Sequence, residues 1–213
     1  MLLPASQRFD PAPPAARAPL RATARALSDP ALIALYVIGG CSSGALMAVF
    51  NTLGFRLADA PFHLALASAS LVFLVYPVGT LSSTVFGRLT DRFGRRTVMP
   101  LGCVLAVGGA LLTLPATLPT VILGLALLVG GFSAVHGVAS GWVPARAFAG
   151  GASTAQAASL YLFTYYLGSS VFGSLAGRVW SDAAWPGVVG LAAILLCVAC
   201  TPALRLRRTP ALS

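Results

Sequence analysis

Hydrophobic positions run in long unbroken stretches, and charges interrupt them at only a few places. Between those charges lie residues 30–55, 60–87, 97–145, 147–177 and 183–204, uncharged stretches of 26, 28, 49, 31 and 22 residues. Roughly 20 apolar residues carry a helix across the hydrocarbon of a bilayer. Four stretches therefore fit one crossing each, and the stretch of 49 fits two. Pro115-Ala116-Thr117-Leu118-Pro119 supplies the break inside it, since proline stops one helix and suits the first turn of the next. The pattern predicts an all-α membrane protein with six transmembrane helices over 31–52, 66–87, 97–115, 119–143, 153–177 and 186–204. Barrel strands would alternate in polarity over about ten residues, and these stretches do not.

Composition strengthens this reading. The 213 residues are 57% hydrophobic and 9% charged, where a soluble domain carries about 25% charged residues. So little charge cannot cover a water-facing surface, which excludes a soluble enzyme, and so much apolar content excludes a disordered chain. The net charge of +9 comes from 14 Arg against 5 Asp. With six crossings, 12 arginines fall on the side of the termini, and only Arg56 and Arg178 fall opposite. Positive loops stay inside, so both termini are expected in the cytoplasm. No nucleic-acid partner is needed to explain the arginines.

Residues 1–30 hold Pro4, Pro11, Pro13, Pro14, Pro19 and Pro30 among alanines and arginines, which predicts an extended cytoplasmic linker and no signal peptide. Residues 205–213 read as a cytoplasmic tail. Cys41, Cys103, Cys197 and Cys200 lie within apolar stretches and read as small hydrophobes. No metal site or cofactor is expected.

The most specific stretch is Gly87-Arg88-Leu89-Thr90-Asp91-Arg92-Phe93-Gly94-Arg95-Arg96. It reads as a tight turn in which Gly87 lets two helix ends approach and Gly94 takes a positive φ. Asp91 is the only acid there and needs a partner: Arg92, Arg95, Arg146 at the end of the fourth helix, or a neighbouring helix N-terminus. The pattern Gly-x-Leu-x-Asp-Arg-x-Gly-Arg-Arg resembles the signature loop of the major facilitator superfamily, whose members have two six-helix halves with this loop after the second helix of each. Thr90 departs from the Ala or Asp common there. The first half of proton-antiporting members usually has an arginine in its fourth helix and a Gly-Pro pair in its fifth. Neither is present here, so the resemblance favours the second half, with residues 1–30 as the linker between halves. Asn51 to Leu57 and Ser159 to Ser170 look like the seventh and eleventh helices of the YnfM-type bacterial inner-membrane branch.

The predicted span interiors hold no Asp, Glu, Lys or Arg, so a coupling carboxylate is not expected in them. His136 is the titratable side chain at depth and shares a helical face with Ser133 and Ser140. Two readings stand: a polar strip lining a substrate cavity, or a histidine hydrogen-bonded to a neighbouring helix. A Ser140–His136 hydrolase is a remote third, with nothing to orient the imidazole. On the fifth helix Gln156, Ser159, Phe163, Tyr166, Ser170, Gly173 and Gly177 form one stripe, and Tyr161, Tyr165 and Gly168 adjoin it. The glycine end suits helix packing. Gln156, Tyr161, Tyr165 and Tyr166 suit an amphipathic organic substrate, with Asn51, Ser43 and Tyr76 as further cavity candidates.

The resemblance implies one half of a secondary transporter that works by alternating access, a proton-coupled exporter of a small organic molecule in a bacterial inner membrane. Gly87, Asp91, Arg92, Gly94, Arg95, Arg96 and Arg146 would form a latch between bundles. The implied partners are the lipid bilayer, the substrate, protons, and a missing N-terminal half or a second copy. A non-transporting membrane fragment or assembly protein is the alternative.

Overall fold

A computed structural model describes residues 18–65, 72 and 75–206; the side chains of residues 18–22 and of Tyr76 lie outside it. The described elements are helices: α1 (Ala18–Ser28), α2 (Pro30–Ala58), α3 (Tyr76–Phe93), α4 (Arg95–Leu112), α5 (Leu118–Ala149) and α6 (Thr154–Leu206). Four of them, α2, α4, α5 and α6, are long and apolar enough to cross a membrane.

The helices correct the sequence reading at residues 18–28, at the end of α2, which runs to Ala58 and not to 52, and at the end of α5. Residues 18–28, expected to be extended, are helical, because between Pro19 in the first turn and Pro30 the chain offers alanine, leucine and arginine, all good helix formers. Asp29 then caps α2: its Oδ1 accepts from the amides of Ala31 at 2.8 Å and Leu32 at 3.2 Å, with Pro30 next to the cap. Helix α5 runs through Pro144 to Ala149, beyond the expected end at 143. The last two expected helices are the two arms of α6, which meet at Ala184, where the backbone takes φ 48°. Of the expected helix 66–87, residues 66–71, 73 and 74 lie outside the described residues.

Buried side chains gather in two clusters at opposite ends of the bundle. One joins Leu32, Leu35 and Ile38 of α2 to Met99 of α4, Val143 of α5, and both Ala157 and Ala203 of α6. The other joins Leu53 and Leu57 of α2 to Ala110 of α4, Val121 of α5, and Trp185 and Val188 of α6. The first is called the near end below and the second the far end. Because Ala157 and Ala203 share the near end while Trp185 sits at the far end, the arms of α6 turn back on each other at Ala184. Trp185 anchors that turn, its Nε1 donating to Thr113 O at 3.0 Å and to Thr113 Oγ1 at 3.1 Å.

In a bilayer, helix association relies on close packing and interhelical hydrogen bonds, because lipid tails are as apolar as leucine. The α4–α5 pair is built that way. A Cβ on Gly109 would stand 2.6 Å from Gly124 O, and one on Gly131 would stand 2.5 Å from Gly102 O. From Gly102 to Gly109 the chain advances seven residues while the partner retreats seven, from Gly131 to Gly124, so the helices run antiparallel on a heptad of glycines. The α2–α6 seam runs parallel. Ser43 donates to Tyr165 O at 2.6 Å and Asn51 to Gly173 O at 3.2 Å, both across 122 residues. Gly40 and Gly168 meet at the level of the first of these bonds.

Candidate functional site

The basic stretch is shorter as a loop than its sequence suggests. Helix α3 continues through Arg88, Leu89 and Thr90 to Phe93, and Gly94 alone separates it from α4, with φ 81°. The Gly94 amide donates to Thr90 O at 2.9 Å, and Thr97 N donates back to Gly94 O at 3.1 Å. Gly87 sits inside α3 with open space where a side chain would stand, so the close approach expected of it is absent. The reason is local: nothing from 87 to 93 breaks a helix, and only Gly94 supplies the reversal. The Arg92 guanidinium lies 5.3 Å from the centre of the Phe93 ring.

Arg146, one of the several partners open to Asp91 in the sequence, pairs elsewhere. Its Nε meets Asp29 Oδ2 at 2.9 Å, with side chains 19% and 16% exposed. Asp29 has one oxygen spent on capping α2, and the second faces the last turn of α5, which carries Arg146. This pair ties the start of α2 to the end of α5. Asp29→Asn keeps a capping side chain and removes the ion pair, so it should cost about 1 kcal/mol. Asp29→Ala also loses the cap and should cost about 1 kcal/mol more. Chemical unfolding in detergent, run as a double-mutant cycle with Arg146→Gln, measures both; no coupling energy would show the pair to be idle.

Asp91 and Arg95 instead line a cleft of about 270 Å³ between α3 and α5, with Ser83, Gly87, Thr90 and Ser133. A second cleft of about 320 Å³ adjoins it deeper in the bundle and shares Ser83 and Ser133. Thr80 and Phe132 line this deeper part. A groove thus runs along α3 to the near end, lined mostly by apolar residues with the hydroxyls of Thr80, Ser83, Thr90 and Ser133 among them. Sequence reading passed over Thr80 and Ser83, although the signal was there. Thr80, Ser83, Gly87 and Asp91 recur at helical spacing in a helix less apolar than the other candidate spans.

A second constellation lies between α5 and α6. His136 Nδ1 is hydrogen-bonded to the Tyr161 hydroxyl at 3.0 Å, across two helices. The imidazole stacks on Phe132 at 5.7 Å between centroids and meets Tyr165 at 5.0 Å. Tyr165 in turn meets Tyr166 edge-on at 5.2 Å. Exposure grades outward along this cluster, from Tyr161 at 2% to Tyr166 at 64%. The expected strip on α5 therefore divides. Ser133 turns to α3, and His136, about 60° round the helix, turns to α6. Ser140 donates to Gly137 O at 3.1 Å and not to His136, so the geometry of a Ser–His nucleophile is missing.

The other candidates scatter. Ser43 is buried in the α2–α6 seam, bonded to Tyr165 O. Asn51 is exposed at its tip and holds Gly173 O. Gln156 has a buried Oε1 with no partner among the described residues. The Tyr76 side chain lies outside the described residues. On the glycine stripe Gly173 packs on Asn51 and Met47, whereas Gly177 meets nothing.

The sequence pattern of the Major Facilitator Superfamily matches residues 32–213, from the first turn of α2 onward. The chain belongs to the major facilitator superfamily. It is 42% identical over 173 residues to the MFS-type transporter YybF of Bacillus subtilis, covering 81% of this chain and 42% of that protein. It is 36% identical over 180 residues to the inner membrane transport protein YnfM of Escherichia coli, covering 84% and 42%. With a transporter of Buchnera aphidicola subsp. Baizongia pistaciae it shares 33% identity over 205 residues, covering 96% and 50%. The chain thus spans two-fifths to half the length of these superfamily relatives. Within the superfamily match fall the loop at Gly94, the α3–α5 groove and the His136 cluster; α1 stands outside it.

Proposed function

We infer that the chain is the second six-helix half of a secondary transporter that exports a small organic molecule by alternating access, coupled to protons, in a bacterial inner membrane. The observation that carries this reading is the groove that runs from Thr80 and Ser133 to Asp91 and Arg95, in a chain of this superfamily. The charges at its mouth are costly against lipid, which favours water, substrate or another protein helix there. The near end faces the cytoplasm in this reading, with six crossings formed by α2, the segment ending in α3, α4, α5 and the two arms of α6.

The superfamily's alternating access rocks two bundles about a midplane site. Here the Tyr166–Tyr165–His136 cluster forms one wall of that site, offering ring faces and polar tips to an amphipathic substrate. Tyr161 holds the imidazole from behind and so positions it. Asp91, with Arg92, Arg95 and Arg96, serves as a latch at the cytoplasmic end, now without Arg146. The α2, α4, α5 and α6 interiors lack carboxylates in the middle of each arm, so the coupling acid belongs to the partner half.

The decisive test is reconstitution. The purified chain alone in proteoliposomes should show no saturable, gradient-driven uptake, and adding a six-helix first half from a relative should restore it. Saturable uptake by monomers of this chain would overturn the half-transporter reading.

A further inference from the structure

We propose that the seam between the start of α2 and the end of α6 binds an anionic phospholipid, with its acyl chain in the seam and its phosphate on Arg205. The seam holds a depression of about 400 Å³, walled by Ile33, Ala34 and Val37 on one side and Pro202 and Leu206 on the other, with Arg205 on its rim. Ile33 and Val37, one helical turn apart, are 42% and 39% exposed, so the described residues leave part of each apolar side chain uncovered. They belong to a helix apolar enough to cross a membrane, and the depression opens where hydrocarbon would lie.

Charge selects the headgroup. Arg205 is exposed in the last turn of α6 and has no ion pair or hydrogen bond among the described residues. Among the described residues no acid lines the depression. The acid nearest in sequence to the α2 wall, Asp29, is already neutralised by Arg146 and occupied by the α2 amides. Arg207 and Arg208 follow in the sequence. An apolar slot ending in an unpaired guanidinium matches a molecule with an acyl chain at one end and a phosphate carrying net negative charge at the other. A zwitterionic lipid presents the same chain but cancels much of that charge, so the site should discriminate between the two.

The proposal rests on the bilayer placement given above, and the two can fail separately. Native mass spectrometry of the purified full chain, titrated with phosphatidylglycerol or phosphatidylethanolamine of identical acyl chains, reads binding without reference to orientation. Phosphatidylglycerol should be retained preferentially. Arg205→Gln should weaken its binding about fivefold while sparing phosphatidylethanolamine, and Arg205→Lys should restore most of it. Ala34→Phe, which fills the slot, should weaken both lipids. Equal retention of the two lipids by the natural chain, or unchanged phosphatidylglycerol binding in Arg205→Gln, would overturn the site. Orientation is read independently by thiol labelling of Ser28→Cys in a chain whose four cysteines are replaced. Labelling from outside the cell with selective lipid binding intact would refute the cytoplasmic placement and leave the site standing.

Discussion

Gly109→Leu is expected to destabilise the bundle by about 3 kcal/mol or more, while Gly108→Leu, one residue earlier, leaves it unharmed. At Gly109 a Cβ would run into the Leu128 amide and Gly124 O, both backbone, and backbone cannot swing aside as a side-chain tip can. At Gly108 a Cβ would meet no side chain or neighbouring helix within 4 Å. There the change relieves the helix penalty of glycine and gains up to about 1 kcal/mol. Gly124→Leu should behave like Gly109→Leu, because it strikes the same contact from the other helix. Thermal or chemical unfolding in detergent, followed by helical circular dichroism, measures the series. A Gly109→Leu chain as stable as Gly108→Leu would mean that α4 and α5 do not approach on their glycines.

Asp91→Asn, in the transporter assembled with its first half, should lower the transport rate about tenfold. Substrate affinity in a conformationally locked state should stay nearly unchanged. Asp91 lies at the near-end mouth of the groove beside Arg95, whereas the His136 cluster lies between other helices. A latch acts on the equilibrium between states, so removing its charge alters how often the bundle closes and not how the closed site grips its ligand. Arg95→Gln should produce the same pattern. A selective loss of affinity in Asp91→Asn would make the carboxylate a substrate ligand instead.

Both predictions depend on features that differ in how visible they were beforehand. The Asp91 loop was read directly from sequence, because a motif of fixed spacing between apolar stretches is local information. Its conformation was only half read: Gly94 takes the positive φ, but Gly87 does not bring helices together. The heptad glycines were printed in the sequence as well, yet nothing marked Gly109 as packed and Gly108 as open. Both lie in the same apolar stretch, and the difference arises only when α5 is laid against α4. The His136 and Ser140 readings diverged in the same way. Their shared face was a sound inference from spacing, and the partner waiting on α6 decided which of them was engaged.

Long apolar stretches, their proline breaks and the placement of arginine follow from sequence alone, because burial in hydrocarbon and helix formation are properties of contiguous residues. The same holds for the signature loop that marks the superfamily. Tertiary structure decided the rest. It paired Arg146 with Asp29, turned Ser133 away from His136, ran α3 to Phe93, and left Arg205 without a partner among the described residues, over an apolar slot. Each of these depends on which helix faces which and at what rotation. In an apolar chain most rotations satisfy the hydrophobic pattern equally well, so backbone-to-backbone contact at a few glycines selects among them.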